Sequence, residues 1–361
     1  MADGFAPLTF TPEVEAATAP LWDKVKSRVT PLEWQLHAPL IAEINRLKRE
    51  KNAVILAHNY MTPEIFHGVG DYVGDSLGLA REAARSDAKI IVQAGVHFMA
   101  ETSKVLCPDK TVLIPDLRAG CSLASSITGA DVRLIKQRYP GLPVVTYVNT
   151  TADVKAETDV CCTSANAVQV VEWAAKEWGV DRVILIPDEF LARNVAAQTD
   201  VKIIAWQGRC EVHERFTAQD IADMREAWPE AQILAHPECP EEILAASDFA
   251  GSTAAMNDWV VQKKPKQVVL ITECSMASNV QAQAPDTQFI GPCMMCPHMK
   301  RITLQNILEA LREEKHEVTV DPELAERARL AVQRMIDMPP PATPARYDLV
   351  KARHHVAVEL I

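Results

Sequence analysis

Three short runs of apolar, mostly β-branched residues each end in a group of polar side chains. The runs cover residues 54–57, 144–146 and 233–235. They lead into three polar groups spaced 89 positions apart at their first residues: His58-Asn59-Tyr60, Tyr147-Val148-Asn149 and His236-Pro237-Glu238. Apolar runs of this length are typical of strands buried on both faces, and their constant period predicts an internal structural repeat.

The same period continues beyond the polar groups. Each group is followed, 16 to 18 residues later, by a serine that opens a helical pattern: Ser76, Ser164 and Ser252. A second strand-like run comes next at residues 89–92, 182–186 and 267–271, then a helical segment beginning near residues 98, 190 and 275, then a third run at 111–114, 201–205 and 287–290. Each unit ends at a cysteine 44 to 46 residues after its serine: Cys121, Cys210 and Cys296.

Strands that alternate with helices indicate right-handed crossovers and a parallel sheet covered on both faces. We therefore predict an α/β protein of three repeated αβα units around a pseudo-three-fold axis, with one central active site at the carboxyl ends of the strands. The predicted divisions are a helical extension (1–45), repeats at 46–128, 129–216 and 217–302, and C-terminal helices with a tail (303–361). Helices are expected over residues 31–50 and 303–337, and the last twenty residues are expected to lie on the surface.

The composition and net charge of the chain argue against nucleic acids and membranes as binding partners. The net charge of −11 and the pI near 5.4 argue against a general nucleic-acid-binding protein, which needs a basic face. The apolar stretches are too short to cross a bilayer, and the N-terminus lacks the pattern of a signal peptide. We predict a cytoplasmic protein that binds small molecules, with no membrane or nucleic-acid partner. The nine cysteines then favour reduced thiols, metal ligation or catalysis.

Cys121, Cys210 and Cys296 stand at equivalent loop positions and could bind one metal centre. Zinc is the weaker hypothesis, because a structural zinc site needs four ligands, usually in close pairs. An iron-sulfur cluster on three cysteines leaves one iron without a protein ligand, which could act as a Lewis acid in dehydration. Packing is the expected role of the cysteines outside this position: Cys107, Cys161, Cys162, Cys239 and Cys274.

Cys293 and Cys296 form a Cys-x-x-Cys pair that by itself is equally compatible with a redox pair or half of a zinc site. The repeat spacing distinguishes the two cysteines. Ser252 lies 44 residues before Cys296, which matches the other units, but only 41 residues before Cys293. We therefore predict that Cys296 is the ligand and that Cys293 is a bystander.

The repeated serines are placed to cap helices, which is a sufficient structural explanation for them. Helix N-termini also attract anions, so three that converge on one cavity would suit carboxylates and phosphate, with Thr253 as an additional hydroxyl. The polar groups at the strand ends supply acids, bases and hydrogen-bond donors: His58, Tyr60, Tyr147, Asn149, His236 and Glu238.

Over about residues 50–310 the chain resembles A-type quinolinate synthase. The resemblance rests on Ala57-His58-Asn59-Tyr60, Gly74-Asp75-Ser76, Phe98-Met99-Ala100-Glu101-Thr102, Ala119-Gly120-Cys121-Ser122, Tyr147-Val148-Asn149, Thr163-Ser164-Ala165-Asn166, His236-Pro237-Glu238, Gly251-Ser252-Thr253 and Cys296-Pro297-His298-Met299-Lys300. No single motif is specific, whereas the set is.

The resemblance implies condensation of iminoaspartate (iminosuccinate) with dihydroxyacetone phosphate to quinolinate, phosphate and water in NAD biosynthesis, with functional coupling to an enzyme that oxidises L-aspartate. It implies a 4Fe-4S cluster with one open iron on three ligands: Cys121, Cys210 and Cys296. The catalytic residues implied are Tyr60, Glu238, His58 and His236. The substrate-binding residues implied are His58, Ser76, Tyr147, Val148, Asn149, Ser164, His236, Pro237, Glu238, Ser252 and Thr253.

Two other functions stay open at this point. One is a different 4Fe-4S hydro-lyase that acts on a hydroxy acid, which product analysis would separate because quinolinate contains a ring nitrogen. The other is a non-enzymatic cluster-binding sensor, which predicts a fourth ligand and no turnover. Some members of the family carry a further cysteine where this chain has Ile290, so the disulfide switch of those members is not expected here.

Overall fold

The computed structural model describes residues 8–339, 347–349 and 358–361. Its strands are β1 (Ala53–His58), β2 (Tyr72–Gly74), β3 (Ile90–Ala94), β4 (Thr111–Leu113), β5 (Val144–Tyr147), β6 (Val160–Cys162), β7 (Arg182–Ile186), β8 (Lys202–Ala205), β9 (Gln232–Ala235), β10 (Phe249–Ala250), β11 (Gln267–Ile271), β12 (Gln288–Ile290) and β13 (Glu359–Leu360).

The helices are α1 (Pro12–Val25), α2 (Pro31–Lys51), α3 (Pro63–Phe66), α4 (Ser76–Arg85), α5 (His97–Leu106), α6 (Gly129–Arg138), α7 (Ala152–Ala156), α8 (Ala167–Trp178), α9 (Glu189–Ala196), α10 (Ala218–Ala227), α11 (Glu241–Ala246), α12 (Thr253–Lys263), α13 (Ser275–Gln281), α14 (Leu304–Glu313) and α15 (Pro322–Asp337). Short 3-10 helices follow two of the cysteine loops, at His213–Arg215 and Met299–Arg301.

Three parallel sheets share one strand order. The first sheet runs β2-β1-β3-β4, the second runs β6-β5-β7-β8 with β13 added beside β8, and the third runs β10-β9-β11-β12. All the strand pairings are parallel, and the first, second and third apolar runs of each predicted unit occupy the corresponding strands of its sheet. The prediction of an α/β protein with parallel sheets is therefore confirmed.

The apolar pattern does not predict the short strands β2, β6 and β10, which have only two or three residues each. An aspartate precedes each of them and binds the first strand of its sheet. Its carboxylate accepts a 2.8 Å hydrogen bond from a strand N–H in all three sheets: Asp71 from Ile55, Asp159 from Val144 and Asp248 from Ile233. Its own N–H donates back to the same residue's carbonyl, so one side chain aligns two strands.

Each of these aspartates also binds a cation on the helix that precedes its sheet. The ion pairs are Lys48–Asp71 at 2.8 Å, Lys136–Asp159 at 3.4 Å and Arg225–Asp248 at 2.9 Å. These helices, α2, α6 and α10, each begin with a capping box, in which a threonine and the acidic residue three positions later satisfy each other's backbone N–H groups. The structural repeat therefore includes a helix before the first strand.

The flanking segments pack against the repeats. Helices α2 and α14 pack together, and α15 lies against α5, α7 and β6. Helices α14 and α15 lie within residues 303–337, where helices were predicted. Helix α1 lies within the predicted helical extension, although no individual helix was predicted over its residues. The prediction of a surface tail is wrong at Tyr347, whose side chain is buried in the core and whose N–H donates to the Ala250 carbonyl at 3.0 Å. Residues 342–346 and 350–357 of that tail lie outside the described residues.

Among the described residues, no helix combines the length and the apolar character that crossing a bilayer requires.

Candidate active site

One cavity is lined by residues from the carboxyl ends of strands in all three sheets. The loops after β1, β5 and β9 deliver the polar groups that the sequence analysis identified, and the loops after β4, β8 and β12 deliver the three cysteines. The predicted site residues that line the cavity are His58, Tyr60, Ser76, Cys121, Tyr147, Asn149, Ser164, Cys210, His236, Glu238, Thr253 and Cys296. The structure thus brings together side chains that lie up to 238 positions apart in the chain.

Three predicted residues do not line this cavity. The Val148 carbonyl accepts from the buried Lys155 ammonium at 2.8 Å, and the Pro237 carbonyl accepts from the Asn194 amide at 2.8 Å. The Ser252 hydroxyl accepts the Ala255 N–H at 3.2 Å and so caps α12. The polar atoms of these residues are therefore used to hold the backbone at the strand ends.

The prediction that all three serines cap helices is wrong for Ser76 and Ser164. Asp75 caps α4, because its carboxylate accepts the Gly78 N–H at 2.8 Å, and Ser76 is the first residue of the helix. Asn166 occupies the cap position of α8, two residues after Ser164. The hydroxyls of Ser76 and Ser164 are therefore not used for capping, and the Ser164 hydroxyl lies 3.3 Å from Nε2 of His236.

Glu238 is a buried carboxylate surrounded by hydrogen-bond donors. Its Oε2 lies 2.7 Å from Nδ1 of His213, and the Tyr147 hydroxyl donates to its Oε1. Burial favours the neutral acid, but the proximity of His213 and His236, together with these hydrogen bonds, outweighs it and lowers the pKa of Glu238 well below its usual range. The carboxylate is therefore ionised at neutral pH.

Two histidines and two tyrosines of the cavity, His58, His236, Tyr60 and Tyr147, are neutral at neutral pH. Burial lowers the pKa of His58 to about 4 and that of His236 to about 3, since each imidazolium would be cut off from water. Burial also raises the pKa of Tyr60 and of Tyr147 well above the usual value, and the nearby Glu238 charge adds to the effect. These two neutral imidazoles and two protonated phenols therefore line the same cavity as the Glu238 carboxylate.

A chain of hydrogen bonds connects Tyr60 to Glu238 through two residues that the sequence analysis missed, His213 and Thr272. The Tyr60 hydroxyl lies 2.6 Å from Oγ1 of Thr272, and that oxygen lies 2.9 Å from Nε2 of His213. We assign His213 the tautomer with its proton on Nδ1, which donates to Glu238 and accepts at Nε2. Thr272 then donates to His213 and accepts from Tyr60, so every hydrogen bond of the chain points from the phenol toward the carboxylate.

Both residues nevertheless stand at sequence positions that are typical of functional sites. Thr272 directly follows β11, at the strand end where ligands are expected, and His213 completes a Cys-x-x-His motif with Cys210. Each belongs to one repeat only, because the other two units have no histidine or threonine at the matching distance. The internal repeat therefore does not predict a functional role for His213 or Thr272.

Equivalent backbone groups face the three cysteine sulfurs. The N–H groups two and three positions after each cysteine interact with its sulfur and oppose the rise in pKa that burial causes: Leu123 and Ala124 for Cys121, Val212 and His213 for Cys210, and His298 and Met299 for Cys296. Burial raises the pKa of all three thiols, that of Cys121 to about 12. These N–H groups are placed to stabilise a thiolate once a metal replaces the proton.

The cysteine loops also contact one another. The Ser122 hydroxyl donates to the Arg209 carbonyl at 3.1 Å and accepts the Glu211 N–H at 3.1 Å. Nε2 of His298 lies 2.9 Å from Oε1 of Glu211. The first loop is therefore hydrogen-bonded to the second, and the second is in contact with the third, which places the three sulfurs around one space.

The third cysteine loop has an additional attachment. A disulfide joins Cys293 to Cys274, whose Cα atoms lie 4.9 Å apart, and Oε1 of the buried Glu273 accepts from the Lys300 ammonium at 2.7 Å and from the Cys296 N–H at 3.4 Å. The expectation that Cys274 only fills space is therefore wrong, and Cys293, which was predicted to be a bystander to metal ligation, is bonded to it. The two cysteines meet because β11 and β12 are neighbours, so that the loops after them run side by side.

The family model for quinolinate synthetase A protein matches residues 42–337, which include all three sheets except β13 and every residue of the cavity. The chain belongs to this family. A quinolinate synthase of Caulobacter vibrioides is 82% identical over the full length of both chains. Quinolinate synthase 1 of Mesorhizobium japonicum is 63% identical over 89% of this chain and 98% of the relative, and a quinolinate synthase of Xylella fastidiosa is 63% identical over 82% and 86%.

This family implies an iron-sulfur cluster, and the residues of the cavity fit one. Three sulfurs, one from each repeat, line a single space, and two N–H groups face each of them. Thiolate sulfur with hydrogen bonds from backbone N–H groups is the usual environment of such clusters.

Proposed function

We propose that the chain condenses iminoaspartate with dihydroxyacetone phosphate to give quinolinate, phosphate and water, as a quinolinate synthase of NAD biosynthesis. The observation that carries the proposal is the cavity itself, which combines three cysteines with an ionised carboxylate, two phenols and two neutral imidazoles. Such a site can bind anions and move protons, and both are needed to join a carbonyl compound to an imine and then to remove water.

We also propose that the three sheets are related by a pseudo-three-fold axis through this cavity, with the repeats divided as predicted at 46–128, 129–216 and 217–302. The shared strand order and the equal placement of the cysteines support this arrangement. The cytoplasmic location and the coupling to an enzyme that oxidises L-aspartate stay predictions.

Cys121, Cys210 and Cys296 are the proposed ligands of a 4Fe-4S cluster. A cluster with three protein ligands supplies a Lewis-acidic iron that can bind a hydroxyl or carboxylate oxygen of a substrate. Because the cysteine loops hydrogen-bond one another through Ser122 and Glu211, the chain holds these ligands in place before any substrate binds.

Glu238 is the proposed general base. It is ionised, buried, and fixed by His213 and Tyr147, so that it can accept a proton from a substrate carbon or nitrogen. Tyr60 is the proposed acid. When its hydroxyl donates a proton to a leaving oxygen, the bonds of the chain must reverse, and the proton that Glu238 has accepted can then be relayed through His213 and Thr272 to the Tyr60 oxygen.

Ser76, Ser164 and Thr253 are proposed to bind the anionic groups of the substrates. The Thr253 oxygen accepts from the Asn59 amide at 2.9 Å, so its own proton is free to point into the cavity. The hydroxyls of Ser76 and Ser164 also line the cavity. Hydroxyl donors that need no rearrangement suit phosphate and carboxylate oxygens.

The decisive experiment is anaerobic purification of the full chain, analysis of iron and sulfide, and assay with the two substrates. We expect about four iron and four sulfide per chain and quinolinate as the product. A cluster without quinolinate, but with dehydration of a hydroxy acid, would favour the hydro-lyase. A cluster with no turnover of either kind would favour a sensor, and the absence of both cluster and product would exclude the proposal.

Ser164→Ala is expected to raise the KM for at least one substrate about tenfold, since one hydrogen bond to a charged group contributes about 1.5 kcal/mol, while kcat changes less. Steady-state kinetics with each substrate varied in turn measures the effect. Ser247→Ala is the matched control, because the Ser247 hydroxyl is also buried but donates to the Ile243 carbonyl outside the cavity. Equal KM values in both variants would remove Ser164 from the binding site.

Exposure to air is expected to inactivate the enzyme, because an iron without a thiolate ligand is accessible to oxidants as well as to substrate. Iron chelation should have the same effect. Activity, iron content and visible absorbance should fall together over time in air, while far-UV circular dichroism stays unchanged. Full activity after the iron has been removed would contradict a role of the cluster in the reaction.

A further inference from the structure

A second set of metal-binding side chains shares Cys210 with the three-cysteine set. One ligand atom from each of Cys210, His213 and Glu238 lies within 4.8 Å of the other two. Nδ1 of His213 is 3.1 Å from Sγ of Cys210 and 2.7 Å from Oε2 of Glu238. Ligand atoms on one tetrahedral zinc ion are separated by about 3.2–3.7 Å, so small side-chain shifts would admit the ion.

The three atoms are held where they are by the fold. His213 begins the 3-10 helix that follows the Cys210 loop, and its ring stacks on His236 with centroids 4.7 Å apart. Nε2 of His213 is hydrogen-bonded to the Thr272 hydroxyl, and the Tyr147 hydroxyl donates a hydrogen bond to Glu238. A hydrogen-bond partner on the second ring nitrogen is the usual companion of a metal-binding histidine, because it fixes the orientation of the ring.

The three cluster cysteines are not arranged for a single ion. Across residues 8–339, 347–349 and 358–361, Cys210, His213 and Glu238 are the only set of three or more cysteine, histidine or acidic side chains whose ligand atoms come this close together. The sulfurs of Cys121, Cys210 and Cys296 are therefore not all within 4.8 Å of one another, although a larger cluster can bridge all three.

We propose that the chain without its cluster binds one zinc-type divalent cation through Sγ of Cys210, Nδ1 of His213 and a carboxylate oxygen of Glu238. A sulfur, an imidazole nitrogen and one carboxylate oxygen suit Zn²⁺ or Co²⁺ and do not suit Mg²⁺ or Ca²⁺, which prefer oxygen ligands. The fourth position faces the cavity, where a water molecule can occupy it.

Charge and protons balance in this site. The Cys210 thiol releases one proton when its sulfur binds the ion, and His213 binds through Nδ1 in the tautomer that carries its proton on Nε2, where the Thr272 oxygen accepts it. Thiolate and carboxylate together offset the charge of the divalent cation. Binding is therefore expected to release one proton to solvent and to strengthen as pH rises.

Occupation of this site would exclude the cluster, because Cys210 cannot serve both centres. It would also remove His213 and Glu238 from the hydrogen-bond chain that starts at Tyr60. The proposal concerns metal binding alone and does not depend on the reaction that the intact enzyme catalyses. The proposal predicts that zinc binds the cluster-free chain and that the zinc-bound chain cannot assemble a cluster from iron and sulfide.

Cobalt(II) is the probe, because thiolate ligation gives it a charge-transfer band and tetrahedral geometry gives it visible bands. The full chain is prepared cluster-free and reduced under anaerobic conditions and titrated with cobalt alone. We expect one cobalt per chain with both sets of bands, and loss of the bands when zinc is added. Chains that carry the cluster should bind no cobalt in this way.

Variants locate the ion. His213→Asn should weaken cobalt binding by more than about tenfold, and Glu238→Gln should weaken it and change the visible bands. Cys121→Ser and Cys296→Ser are the matched controls, which should each retain one cobalt with affinity within about threefold of the parent chain. Circular dichroism and thermal unfolding show whether each variant is folded. Loss of cobalt in the two cysteine controls, with retention in His213→Asn, would place the ion on the three cysteines and overturn the proposal, as would the absence of tight cobalt binding.

Discussion

Replacement of Cys296 by serine is expected to abolish cluster binding and to lower quinolinate formation by at least about hundredfold, whereas Cys293→Ser should retain iron, sulfide and most activity. Cys296 lines the cavity, occupies the same position in its repeat as Cys121 and Cys210, and has two N–H groups facing its sulfur. Cys293 does not line the cavity and is bonded to Cys274. The two variants differ by three positions in one loop, so each controls for the other.

Iron and sulfide analysis of anaerobically purified protein, followed by the quinolinate assay, measures both variants. Cys274→Ser serves as a second control, because it removes the same disulfide as Cys293→Ser from the opposite side. We expect Cys274→Ser and Cys293→Ser to behave alike. If Cys293→Ser lost the cluster and Cys296→Ser kept it, the register of the third repeat would be wrong, together with the assignment of its cysteine.

Glu238→Gln is expected to lower kcat by a factor of about 10²–10⁴ while the cluster remains intact, because glutamine has nearly the same shape but cannot accept a proton. The effect should fall mainly on kcat, since the amide can still receive a hydrogen bond from the Tyr147 hydroxyl. Kinetics combined with iron and sulfide analysis separates a loss of chemistry from a loss of the cluster.

Glu189→Gln is the matched control for this variant. Glu189 is another buried carboxylate, but it pairs with Arg193 at 3.0 Å and with Arg209 at 3.0 Å and does not line the cavity. We expect it to reduce thermal stability with little change in kcat. Similar kcat values for Glu238→Gln and the parent enzyme would show that another group accepts the proton.

Much of the fold is predictable because parallel strands buried on both faces appear in the sequence as short apolar runs, and because ligand-binding residues follow such strands. This logic places His58, Tyr147, His236 and the three cysteines at one cavity. It fails for β2, β6 and β10, since two or three residues carry no readable periodicity. The aspartates before those strands repeat with the right period, but acidic residues in loops are too common for their spacing to be noticed.

The parts of the site that the sequence does not reveal depend on contacts between repeats. Thr272 and His213 are 59 positions apart, and Tyr60 and Thr272 are 212 positions apart. Neither pair is related by the internal period, so only the packing of the third repeat against the first and second brings them together. The pairing of Cys274 with Cys293 is hidden for a similar reason, because it depends on which strands are neighbours.

The shared strand order also bears on how the protein is made. Apart from β13, each sheet is built from one contiguous stretch of chain, and its aspartate links strands that lie only 15 or 16 positions apart. Sheets with such local pairings can form in turn while the chain is being synthesised. The cavity cannot, because it needs Glu238 and Cys296 from the last unit. A partly synthesised chain would therefore expose the thiols of its first two repeats before any complete site exists to receive iron.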